Sequence, residues 1–140
     1  MSNKIIRAAI EGRLQEWAAL QTPPIPVIFQ NMGAKPVVGQ RYLRGFLMPA
    51  ETLNPSEGSR HKYYHGLYQV SIYEVENQGA GDSDELAEAI EVLFASPTTI
   101  SKGGLNVLIQ QTPAIGSSRP DDAGFFMTPV TIKYSANDFS

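Results

Sequence analysis

The sequence contains no cysteine. That removes disulfides, thiolate zinc sites and cysteine nucleophiles at once, and leaves the fold to stand on its apolar core. Histidine is nearly absent too: His61 and His65 are the only two. Their spacing puts both on one face of a strand, but zinc takes three or four ligands, and Glu51 and Glu57 nearby have no spacing that completes a site. No apolar run approaches the roughly 18 residues of a membrane span. Glu11, Arg13 and Glu16 follow the N-terminus too closely for a signal peptide. The expectation is a soluble protein made in the cytoplasm. Positive charge is also scarce. The formal net charge of -3 argues against a general nucleic-acid binder, whose footprint would be basic.

What is present suits one globular domain spanning residues 1–140. With 42% apolar and 18% charged residues, the composition is that of a folded chain, able to bury roughly two thirds of its unfolded surface. The charge is uneven along it. Glu74, Glu76, Asp82, Asp84, Glu85, Glu88 and Glu91 follow one another with no intervening Lys or Arg, whereas Arg41, Arg44, Arg60 and Lys62 come earlier. Each group can be a solvated face. Alternatively, copies of the chain meet acid to base in a head-to-tail contact, which closes a ring when its rotation permits. On that reading the assembly surface includes Arg41, Arg44, Arg60, His61 and Lys62 on one side and Glu85, Glu88 and Glu91 on the other.

Periodicity lays out the elements. Ile6, Ile10, Leu14 and Trp17 recur at helical spacing, with Trp17 as a core anchor, and Pro23-Pro24 ends the helix. Strands are expected at Pro26 to Gln30 and Arg41 to Met48. A third covers Gly66 to Val75, where Tyr68, Val70 and Ile72 share one face and Gln69, Ser71 and Tyr73 the other. The loop from Ala50 to Arg60 joins the second and third strands antiparallel, and it ends in the basic trio Arg60-His61-Lys62. A second helix begins at Asp82, an N-cap with Glu85 three residues on. It carries the apolar stripe Leu86, Ala89, Ile90, Leu93 and Phe94. Strands at Leu105 to Gln110 and Phe125 to Tyr134 flank a Pro/Gly/Ser-rich loop, and Pro129 suggests an edge position or a bulge. The expected fold is α+β: a two-layer sandwich of a mixed, mostly antiparallel sheet of about five strands with both helices on one face. The other face, with Gln69, Ser71, Tyr73, Thr131 and Lys133, is left open for protein contact.

No catalytic constellation emerges. Gly79-Ala80-Gly81 lies between a strand and a helix but lacks a third glycine, and Asp82, Asp84 and Glu85 occupy the place an anion would need. Ser59, Ser71 and Ser117 lack the Gly-x-Ser-x-Gly elbow of a hydrolase. Asp121-Asp122 and Asp82-x-Asp84 are too short for a calcium loop. A carboxylate pair for glycoside hydrolysis depends on three-dimensional geometry and stays open.

Read in order, the pieces resemble the phage tail-terminator family over nearly the whole chain. The helix with its late Trp17 precedes Val27-Ile28-Phe29-Gln30-Asn31, then Tyr42-Leu43-Arg44 to Leu47-Met48-Pro49-Ala50-Glu51. Gly66-Leu67-Tyr68-Gln69-Val70-Ser71-Ile72-Tyr73 follows, then the Gly-Ala-Gly turn into an acid-headed helix ending Leu93-Phe94, and Pro129-Val130-Thr131-Ile132-Lys133-Tyr134 last. The resemblance implies a non-enzymatic structural protein without cofactor or metal. It implies a hexameric ring, monomeric or not before assembly, that sits on the tail tube, halts its polymerisation and presents a surface to the head-side connector. The implied partners are the chain itself, the tail tube protein and the connector, with no specific nucleic acid and no membrane. The implied location is the host cytoplasm during assembly and the virion tail afterwards. Another head-tail joining or minor tail protein of similar fold, or a small-molecule-binding or hydrolytic α+β domain, are the alternatives.

Overall fold

The computed structural model describes residues 2–30, 39–55, 60–75, 81–121 and 125–139. Helix α1 (Ser2–Ala19) is followed by strands β1 (Val27–Phe29), β2 (Tyr42–Pro49) and β3 (Lys62–Val75), then helix α2 (Gly81–Leu93). Strands β4 (Thr98–Lys102), β5 (Leu105–Ile109), β6 (Ala114–Ile115), β7 (Arg119–Asp121) and β8 (Phe125–Asp138) complete the chain. The fold is α+β, as expected. Among the described residues, however, the sheet has eight strands and is larger and more curled than the two-layer sandwich of about five strands that was expected.

The backbone of the sheet is the pair β3 and β8, antiparallel from Lys62↔Asp138 to Val75↔Phe125. Strand β2 runs antiparallel along β3, and β1 joins β2 in parallel, so the sheet is mixed. The other edge of β8 is lined by β5, β6 and β7 in turn. Register shows these three to be one interrupted strand. Between Ile109↔Tyr134 and Ala114↔Thr131 the chain inserts two extra residues, and between Ile115↔Val130 and Arg119↔Met127 one more. Such bulges bend a strand and increase its twist, which accounts for the curl.

Pro129 therefore lies in a central strand, not at an edge. The Pro129 carbonyl accepts from the Gly116 amide at 2.8 Å. In an antiparallel strand a residue's N and C=O point the same way, so the N–H that proline lacks would face the break between β6 and β7, and β3 loses no bond.

Strand β4 escaped the pattern because Thr98-Thr99-Ile100-Ser101-Lys102 is polar and only Ile100 packs on the core. The signal that marks it is Gly103-Gly104, with φ of 58° and 80°. That is the two-residue turn of a tight hairpin, and β4 pairs with β5 across it. Strand β8 runs on to Asp138 and buries Ala136.

Both helices pack on one face. Ile6, Ile10 and Leu14 of α1, Leu86 and Ile90 of α2 and Phe94 just after it join Leu43, Tyr68, Val70, Ile72, Val130 and Ile132 in the main core. Trp17 is only half-buried at its margin. Helix α2 starts at Gly81, one residue before the expected cap, so Asp82 and Asp84 lie in the first turn, where the helix dipole favours them. Two tyrosines fill the core beside glycines. The Gly45 Cβ position is occupied by the Tyr68 hydroxyl, and a Cβ on Gly66 would come within 2.6 Å of the Met48 carbonyl and 2.8 Å of the Tyr134 hydroxyl.

Candidate assembly interface

The acidic side is built on α2. With Leu86, Ile90 and Phe94 turned into the core, the 3.6-residue period leaves Glu85, Glu88 and Val92 as one exposed stripe, flanked by Asp84 and Glu91. No Lys or Arg occurs in this helix to neutralise it. Glu74, counted by sequence with these acids, points the other way. It shares the inward face of β3 with Val70 and Ile72, is buried, and meets Arg41 at 3.5 Å. Burial raises its pKa, with the Asp82 charge adding to that and Arg41 opposing it. A groove lies alongside, lined by Trp17, Ile25, Arg41, Asp82, Glu85 and Leu86 among others.

The residues of the basic group are not brought together. Arg41 sits beside this groove at the α2 end of β3. Arg44 is on the opposite face of the sheet, its guanidinium 5.7 Å and 5.8 Å from the rings of Tyr42 and Tyr73, which stack at 4.6 Å. Arg60, His61 and Lys62 are at the far end of β3, separated from Glu74 by ~40 Å of strand length. There His61 Nε2 lies 2.7 Å from Asn137 Oδ1, and its ring stacks on Phe139 at 4.4 Å.

The sheet face away from the helices is less open than its sequence suggests. Gln69, Ser71, Tyr73, Thr131 and Lys133 do share it, but Ser71 is buried, and Ile28, Tyr42 and Phe125 form a second small core there with Tyr73 and Val75. The other half stays exposed. Register places Met48, Leu67 and Lys133 in one row across β2, β3 and β8, all three exposed. On these three strands the residues sharing this face include no Asp or Glu.

Sequence reasoning missed the polar cluster beneath α1. Tyr68 donates to Glu11 Oε2 at 2.8 Å, Arg7 lies 3.7 Å from the same oxygen, and Gln30 Oε1 accepts from the Leu47 amide at 2.9 Å and from Arg7. Burial, then the Glu11 contact, drives the Tyr68 hydroxyl strongly upward, so it remains a donor. Burial also raises Glu11, against the lowering by Tyr68 and Arg7. This cluster ties α1 to β3 and β2. Among the described residues no group of three or more His, Asp or Glu is disposed to hold a metal.

The structure thus carries an acidic helix stripe on one side and a cationic, apolar row on the other. A family model described as phage tail terminator protein matches residues 5–134. The chain belongs to the phage tail terminator family. Seven solved chains also match it. One of them is 31% identical over 97% of this chain and 96% of its own, with a TM-score of 0.82. None of the curated proteins matches. The tail terminator family is a structural one, so the chain has a structural role in a phage tail, among other tail or head-tail proteins. No helix among the described residues is long and apolar enough to cross a membrane.

Proposed function

We propose that this protein caps the tail tube of a phage or prophage, stops tube polymerisation and forms the surface to which the head-side connector attaches. It does so as a closed ring of identical copies, six in number, assembled in the host cytoplasm and retained in the virion tail. The whole chain acts as one domain with no catalytic step. The observation that carries this reading is the family match over nearly the whole chain.

Physical chemistry makes the role coherent. A terminator must bind the end of a tube more tightly than the next tube subunit does, and must then offer that subunit no matching surface. A closed ring meets this need where its tube-facing end differs from its other end, because a contact made by one end is not repeated by the other. The formal net charge of -3 also suits a ring through which DNA passes, because a basic lining would hold the nucleic acid by counterion release.

The test is deletion of the gene from its source genome, with tail lengths measured by electron microscopy. Overlong tubes without heads are expected, and the intact gene supplied in trans restores length and head attachment. Tails of normal length bearing heads would overturn the proposal.

A further inference from the structure

We infer that the Glu85/Glu88/Val92 stripe of α2 on one copy docks on the Met48/Leu67/Lys133 row of the next. This rests on the ring reading above and assigns its contact surfaces.

Four observations converge on a second copy as the occupant. First, the charges are complementary: α2 carries only acids, and the sheet face on β2, β3 and β8 carries cations without acids. Second, among the described residues neither Glu88 nor Lys133 has an ion-pair partner within its own chain. Third, each charged group adjoins exposed apolar surface that gains from being covered: Val92 is 72% exposed on the helix, and Met48 and Leu67 are 41% and 38% exposed on the sheet. Apolar contact supplies the drive and the charges fix register and partner.

The fourth is placement. The helices cover the inner face of the sheet, so the α2 stripe faces away on one side of the domain and the row on the other. A two-fold contact would set acid on acid. The complementary contact is heterologous, with each copy using one face toward each neighbour, and it closes into a ring where the rotation per copy divides a full turn.

The absence of cysteine makes the test clean. The double variant E88C/L67C, treated with a flexible bis-maleimide in concentrated solution and in tails assembled with it, should give a ladder of covalent dimers, trimers and higher species. E88C alone and L67C alone should give almost none. In parallel, E85K/E88K should weaken self-association at least tenfold by sedimentation, and adding K133E should recover most of that loss. All these positions are exposed, and an unchanged melting temperature verifies folding. Dimers from E88C alone as abundant as those from the pair would overturn the inference in favour of a two-fold contact. Association, or several copies per tail, without a ladder would overturn these surfaces while leaving the ring intact. One copy per tail by quantitative mass spectrometry would remove the ring itself.

Discussion

At the scale of single residues, two glycines make opposite demands on their neighbours. An alanine at Gly45 collides with the Tyr68 hydroxyl, the far end of one side chain, whereas at Gly66 it meets the Met48 carbonyl and the Pro49 Cα as well as the Tyr134 hydroxyl. Overpacking of this kind costs about 1–3 kcal/mol. Chemical denaturation should therefore show Gly45→Ala partly relieved when combined with Tyr68→Phe. Gly66→Ala should stay costly whether or not Tyr134→Phe is present, since backbone cannot be trimmed. Glu74 governs a second residue-scale outcome. Its burial raises the folded-state pKa above the ordinary carboxylate value, so between the unfolded and folded values the native state holds more protons than the unfolded one. Stability from this group is present at acid pH and falls as pH rises through that interval. Glu74→Gln should flatten the corresponding decline in melting temperature above pH 4.5, the reference value for the free group. Glu11→Gln should do the same for the same reason, because burial also raises Glu11.

At the scale of elements, the broken strand β5–β6–β7 explains how a proline sits in mid-sheet. Because Pro129 turns its nitrogen toward the break, its neighbour Val130 turns its own toward β3, where it pairs with Val70. Pro129→Ala should change stability by less than about 1 kcal/mol, the scale of an ordinary loop proline. Val130→Pro removes a ladder bond from the longest strand pair and leaves its buried partner unpaired, which should cost about 1–3 kcal/mol, read as a lowered melting temperature. The two helices both follow their sequence patterns on the core side. Helix α1 buries Ile6, Ile10 and Leu14 as its spacing says, and anchors a polar cluster through Glu11 that spacing cannot reveal. Helix α2 buries Leu86 and Ile90, with Phe94 just after it, and presents its acids outward, so the sequence pattern alone locates the stripe on which the docking inference rests.

For the whole molecule, the governing property is that its two sides are unlike. The acid stripe and the cationic, apolar row arise from elements far apart in sequence, and head-to-tail contact between copies needs such asymmetry, each copy turning one surface toward each neighbour. The sequence by itself determined the helices, the five strands with period-two or apolar patterning, the α+β class and the absence of thiol chemistry. Each of these is set by residue type and local period. The order of the same pieces also carried the family resemblance. Only the tertiary structure decided the rest. Strands β4, β6 and β7 have no apolar alternation and form because β5 and β8 supply their hydrogen-bond partners. Register, which no local pattern encodes, separates Arg41, Arg44 and the trio Arg60-His61-Lys62 that looked like one basic cluster. It turns Glu74 inward from its acidic neighbours. It also sets Met48, Leu67 and Lys133 side by side, because sheet pairing joins residues by hydrogen-bond partnership across strands and not by their distance along the chain.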